Sequence, residues 1–194
     1  MTDEPYILVL YYSRHGHTRT LAGAIAQGIR AAGLQARIRS VPVLRDSGQS
    51  PASDRDLTCT LEDVEHCSGL ALGSPTRFGH MAAAVQSFVE SWSPLWLKGS
   101  LIDKPAVLFT SSQSAHGGQE STLLGMLPVL LHQGMLLLGL PYSEPPLQHS
   151  LQGGSPYGAG HIAQTGSTGL HRDERALAEA LGRRLGRTAL ALRR

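Results

Sequence analysis

Residues 7–18, Ile7-Leu8-Val9-Leu10-Tyr11-Tyr12-Ser13-Arg14-His15-Gly16-His17-Thr18, decide the fold. An apolar run as long as one buried strand stops at a short loop holding Ser13, Gly16 and Thr18. Leu21, Ile25 and Ile29 then recur at helical spacing, so the stretch reads as strand, tight loop, helix. Such a loop aims backbone N–H groups and hydroxyls at the space over the helix N-terminus, where the partial positive charge favours an anion. Gly16 lets the backbone approach closely, and Ser13 and Thr18 have hydroxyls to donate. The expectation is a phosphate site at the end of the first strand. Neither G-x-x-x-x-G-K-[ST] nor G-x-G-x-x-G opens this helix, which argues against an NTPase and against a dinucleotide-binding Rossmann domain. Taken alone, the S-x-x-G-x-T spacing also fits an ordinary capped βα turn.

Outward from this stretch, strand and helix patterns alternate. Residues 36–41 alternate as a second strand, and residues 61–65 form a short helical turn. Residues 68–73 make a buried third strand, followed by a helix over 80–91 with Met81, Val85 and Phe88 on one face. Residues 92–100 read as a loop with two tryptophans. Residues 105–110 are a fourth strand, 119–133 a helix containing Pro128, and 135–140 a fifth strand. Asp173 is placed to cap a last helix bearing Leu177, Leu181 and Leu185. Residues 42–60 and 141–172, rich in Pro, Gly and Ser, read as long exposed loops. Near-continuous apolar strands are the mark of a parallel sheet covered on both faces. One α/β domain spanning residues 1–194 is expected, with a doubly wound, five-stranded parallel sheet.

The composition narrows the function. The chain has 194 residues, 41% of them hydrophobic, a size that suits one domain with a full core. Its formal net charge is only +2. The densest basic group, Arg183, Arg184, Arg187, Arg193 and Arg194, decorates the last helix as a solvated face, so nucleic-acid binding is not expected. An electron shuttle docking on basic partners would be strongly acidic, and this chain is not. No apolar run reaches the roughly 18 residues of a membrane span, and the acidic start, Met1 to Pro5, is not a secretory signal. Cys59 and Cys67 stand in no metal or redox spacing, which fits a reduced, cytoplasmic setting. His15 and His17 lack further ligands at recognisable spacing, so no metal is expected. No G-x-S-x-G elbow supports Ser13 or Ser111 as a hydrolase nucleophile.

Ligands of doubly wound sheets bind outside the carboxyl ends of the strands. Three polar, glycine-bearing loops follow strands one, three and four: residues 13–18, 74–80 and 111–118. Strand order 2-1-3-4-5 would make those strands neighbours and bring the loops together. Tyr11-Tyr12-Ser13 with Gly16-His17, Gly73 to Gly79 (GSPTRFG), His116 to Glu120 (HGGQE), His132 with Gly134-Met135, and Gly153 to Ala159 (GGSPYGA) follow one another as in a known family. From Ile7 to about Leu192 the chain resembles the WrbA family of flavodoxin-like, FMN-dependent NAD(P)H:quinone oxidoreductases.

That resemblance implies a flavodoxin-like fold and FMN as cofactor, with NADH or NADPH as co-substrate and a quinone as acceptor. It implies two-electron reduction to the quinol by ping-pong hydride transfer through the flavin. Ser13, Arg14, His15, Gly16, His17 and Thr18 would hold the phosphate. Pro75, Thr76, Arg77, Phe78 and Gly79 would run along the isoalloxazine. Ser111, Ser112, Gln113, Ser114, Ala115, His116 and Gly117 would line its other side and the ribityl chain. His132 would lie near the flavin, and Trp96 would line the open face used by both substrates. Chemistry on the cofactor requires no protein nucleophile, with His15, His116 or His132 available to assist a proton transfer. Family members complete the open face with a neighbouring subunit, usually in a homotetramer. His15 stands where the family often has Tyr, and Gln133 follows His132 where it often has a second His. The alternative function is a flavodoxin-type electron-transfer module that holds FMN without using NAD(P)H.

Overall fold

The computed structural model describes residues 4–44, 56–163 and 169–193. Strands β1 (Tyr6–Tyr11), β2 (Gln35–Ser40), β3 (Leu70–Pro75), β4 (Pro105–Ser112) and β5 (Leu136–Leu137) lie in the order β2-β1-β3-β4-β5, all parallel. This is the order expected from the three converging loops. The fifth position of the sheet, however, is filled by two pieces of chain. β5 pairs with the start of β4, and β6 (Ala159–Ile162) pairs in parallel with its end, Phe109 to Ser112.

Side-chain alternation explains the layers. Tyr6, Leu8 and Leu10 of β1 point into one core with Leu70, Leu72, Ala106 and Leu108, while Ile7, Val9 and Tyr11 point into another with Ala71, Val107 and Phe109. The first core is covered by α2 (Leu61–Glu65), α3 (Ala83–Glu90), α4 (Ser93–Lys98) and α5 (Gln119–His132). The second is covered by α1 (His17–Ala31) and α7 (Arg172–Leu192), which pack on each other. Fully burying one such aliphatic side chain stabilises the fold by about 1.5–3 kcal/mol, so strands buried on both faces hold the sheet firmly.

Several elements depart from the sequence reading. Residues 92–100 are not a loop: Trp92 is wholly buried, edge-on to Phe88, and starts α4, which ends at Gly99 in the left-handed region. α3 begins at Ala83 rather than residue 80, because residues 77–80 are spent on a turn. The expected fifth strand over 135–140 shortens to two residues, its neighbour β4 being shared with β6. The 141–172 segment is not a bare loop, since it carries α6 (Pro145–His149) and β6. In the 42–60 segment, positions 45–55 lie outside the described residues. Cys59 is buried, and half-buried Asp56 accepts hydrogen bonds from Tyr11 Oη at 2.6 Å and Arg19 Nε at 2.7 Å. The last helix is capped by His171, whose ring accepts from the Asp173 N–H while Glu174 reaches back to the His171 N–H.

Candidate functional site

Loop one leaves β1 and turns at Gly16, whose φ of 89° starts α1 from the left-handed region. The Gly16 N–H donates to Ser13 Oγ at 3.1 Å, tying the loop to itself. No side chain caps α1 and its first turn contains no acidic residue. The N–H groups of that first turn are therefore open to an anion. Thr18 is buried, and its hydroxyl meets Ser111 Oγ of β4 at 2.8 Å. Loop one and the end of β4 are thus joined directly beneath the helix N-terminus.

Loop three starts at Thr76, whose N–H donates to the Ser111 carbonyl. Arg77 and His80 exchange backbone hydrogen bonds, and between them Phe78 and Gly79 have φ values of 52° and 81°. Two consecutive positive φ values make this a type I′ turn, in which a bulky residue is strained. Phe78 is 104% exposed, so its ring is held out with nothing to pack against. A flat ligand stacked there would cover it. Thr76 Oγ1 accepts from the Gly79 N–H and from Thr122 Oγ1, which pins the turn onto α5.

Loop four runs from Ser111 to Gly118, the left-handed start of α5. Ser112 Oγ donates to the Ser114 carbonyl and accepts from buried Gln119 Nε2 at 2.8 Å. Gln113, Ser114, Ala115 and His116 are exposed, and Gly118 lies close against Gly79 of loop three. The three loops therefore share one edge of the sheet. Ser13, Gly16, Thr18, Pro75, Thr76, Gly79, Ser111, Ser112 and Gly117 form its wall, while Arg14, His15, Phe78 and His116 extend outward.

His132 and Trp96 are not brought to this edge within the chain. α5 begins at loop four and runs back for 14 residues, about 21 Å, before reaching His132. Trp96 sits on α4, whose Lys98 pairs with Glu65 at 3.2 Å, just before β3 begins. Both belong to the opposite edge, where the strands start.

Three residues outside the expected set of site residues stand at the site. His161 of β6 is paired in register with Ser111, and its Nε2 lies 3.2 Å from Nδ1 of His17. Its Nδ1 lies 2.7 Å from Oε2 of Glu174, which is 1% exposed. Burial alone would raise the Glu174 carboxyl, but hydrogen bonds from His161 and from the Ile162 and His171 backbone hold it below its ordinary value. Burial, followed by the neighbouring His161 and His15, holds His17 below the usual histidine value. Gln119 is the third, bracing Ser112 and accepting from the Gly154 N–H. The strand alternation around His161 was hidden in a glycine- and proline-rich segment.

The arrangement fits FMN. An uncapped, acid-free helix N-terminus suits a phosphomonoester, hydroxyls line the wall below it, and an unpacked aromatic ring lies beside. Burial pushes both thiols up, Cys67 to about 11, so neither is a ready nucleophile. Among the described residues no group of three His, Cys, Asp or Glu side chains is placed to hold a metal ion. Nor is any described helix long and apolar enough to cross a membrane.

Residues 5–143 match the sequence model of the family described as NADPH-dependent FMN reductase. A protein of Gluconacetobacter diazotrophicus named NAD(P)H dehydrogenase (quinone) is 42% identical over 194 residues, covering 96% of this chain and 98% of that one. One of the same name from Syntrophobacter fumaroxidans is 38% identical, covering 97% and 98%. Among solved structures, a flavodoxin, WrbA-like protein from Agrobacterium tumefaciens superposes with a TM-score of 0.71 at 20% identity, over 96% of this chain and 98% of that one. With the loops, the strand order and these relatives in agreement, the chain belongs to the NADPH-dependent FMN reductase family and has the flavodoxin fold.

Proposed function

We propose that the protein is an FMN-dependent NAD(P)H:quinone oxidoreductase, carrying two electrons from a reduced nicotinamide to a quinone. The observation that carries this reading is the uncapped α1 N-terminus, joined to β4 through Thr18 and Ser111 and flanked by the outward-facing Phe78. Relatives about 40% identical and named NAD(P)H dehydrogenase (quinone) support the same activity. When bound, FMN supplies hydride acceptance from the nicotinamide and two-electron delivery to the quinone.

The chain's own residues supply binding and orientation. Ser13 to Thr18 receive the phosphate through open N–H groups and hydroxyls. Pro75 to Gly79 hold the ring system by one edge, with Phe78 as a stacking surface, and Ser111 to Gly117 line the side toward the ribityl chain. His15 and His116, both exposed on the loop rims, are the side chains that would hold a proton for the quinol oxygens. One open face serving nicotinamide and quinone in turn gives ping-pong kinetics.

Because His132 and Trp96 lie at the far edge, their role at a flavin is assigned to a neighbouring subunit's site. Self-association, with a homotetramer as the family expectation, then completes the open face. A cytoplasmic setting is consistent with the two free, buried cysteines.

The test is a visible spectrum of the protein with FMN, followed by anaerobic NADH or NADPH and then benzoquinone. Flavin bands that bleach with the nicotinamide and return with the quinone support the oxidoreductase. Bands that bind but ignore both nicotinamides point to the electron-transfer module, and no flavin binding removes the cofactor assignment.

A further inference from the structure

The three side chains His17, His161 and Glu174 form a continuous line from the first turn of α1 to the first turn of α7. The chemistry of its buried end sets the proton nearest to it. Glu174 accepts from the N–H groups of Gly153 at 3.2 Å, Ile162 at 2.7 Å and His171 at 3.0 Å. With donors on every side the carboxylate is ionised, so the fourth contact, from His161 Nδ1, also carries its proton. Taking His161 Nε2 as the acceptor of the 3.2 Å contact puts a proton on His17 Nδ1. A neutral His17 with its proton on Nδ1 has a bare Nε2. A bare lone pair beside the α1 N-terminus repels an anion, whereas an N–H there attracts one.

We propose that the Glu174–His161–His17 line is a proton-linked anchor for the cofactor phosphate. When a phosphomonoester dianion settles on the α1 N-terminus, Nε2 of His17 takes up one proton from solvent. The positive charge so formed is balanced behind by the buried Glu174 carboxylate and in front by the phosphate. This rests on the FMN reading above. The other charged groups around the line are few. Arg14 and His15 stand on loop one, exposed, and His171 and Asp173 lie side by side at the α7 end, 3.5 Å apart. Arg19 of α1 is engaged by Asp56, which also takes the Tyr11 hydroxyl. In the absence of the anion, burial and the neighbouring His161 and His15 disfavour the charged ring. The proton is therefore off at neutral pH and arrives with the ligand. Affinity for a phosphorylated flavin then falls as pH rises, by up to about tenfold per unit for one linked proton.

The experiment is calorimetric titration of the flavin-free full chain at pH 7.5, in buffers of different ionisation enthalpy. FMN and riboflavin are the two ligands. Above pH 7 the phosphate of FMN is already largely dianionic, its second pKa being near 6, so protons counted belong to the protein. The expected result is uptake of about 0.5–1 proton per FMN, none with riboflavin, and none with FMN in H161Q or in H17N. The dissociation constant for wild type and FMN weakens about 3- to 10-fold from pH 7 to pH 8, and that for riboflavin does not change. Equal proton counts for the two flavins, or uptake unchanged in H17N, would overturn the anchor while leaving FMN binding intact. If H161Q does not fold, the FMN–riboflavin difference in the wild type and the result for H17N still decide it. Failure of both flavins to bind would instead remove the cofactor assignment, and the anchor with it.

Discussion

Glu174 shows what a single buried carboxylate does for this molecule. Its two oxygens collect donors from α7, from β6 and from the glycine-rich turn before β6, so it ties the late segment to the sheet. Glu174→Gln sets an amide NH2 against those N–H groups and leaves at least one buried donor unpaired. The expected loss is about 2–4 kcal/mol, read from the urea midpoint at pH 7. The carboxyl is held below its ordinary value in the folded state. The stability it gives is therefore complete above the unfolded value, near pH 4.3, and disappears as pH falls through the folded one. Midpoints between pH 5 and pH 3 should drop more steeply for the wild type than for E174Q. Phe78 is the opposite case, a side chain with no packing and a strained backbone. Phe78→Gly relieves about 1–2 kcal/mol of left-handed strain and costs about 0.4–1 kcal/mol in chain entropy. The flavin-free variant should gain about 0.5–1 kcal/mol in a urea titration, yet bind FMN several-fold more weakly by fluorescence. Unchanged FMN affinity would separate the strained turn from ligand stacking.

At the scale of elements, α1 and α7 pack without room for side chains at their contact. A Cβ at Gly182 would fall on the Ile25 carbonyl, and one at Gly28 on the Glu179 carbonyl. Gly182→Ala must push the helices apart or distort them, at a cost of about 1–3 kcal/mol measurable by urea denaturation. An alanine variant as stable as the wild type would mean the pair has slack. These glycines sit in segments whose helical period was plain in the sequence, and the strands β1, β3 and β4 were equally plain, because burial on both faces makes each a continuous apolar run. β6 was not. Its residues, Ala159 to Ile162, include a glycine and a histidine and follow turn-forming chemistry, so no local pattern distinguishes them from loop. They become a strand only because the end of β4 lacks a partner once β5 has paired with its start. For the same reason the phosphate loop was legible as a site, whereas His161, contributed by β6, was not. The α4 helix was missed because its six residues are too few to show a period, and a Pro with one tryptophan before the helix and one inside it read as loop.

The whole molecule has two differently equipped edges. The strand C-terminal edge carries the cofactor loops, and the opposite edge carries apolar side chains with no cover. Leu97 is 78% exposed, and Ile102 and Leu131 are each 58% exposed. They are neighbours: Ile102 packs against both Gly99 and Gly134, and the Asp103 N–H donates to the Gly134 carbonyl, joining the α4 turn to the end of α5. Trp96 and His132 lie on these same two elements. An apolar cluster beside the two residues assigned to a neighbour's flavin is what a subunit interface requires, since burying it removes the exposed area and delivers both side chains at once. Leu97→Lys combined with Leu131→Glu places charges inside that contact, where pairing with solvent is lost. Light scattering should register a shift to a smaller species, with quinone turnover falling by tenfold or more because the open face is incomplete. FMN titration should be unchanged, since loops one, three and four come from one chain. An unaltered assembly would move the interface elsewhere, and a smaller species with full turnover would show that one chain completes its own active face.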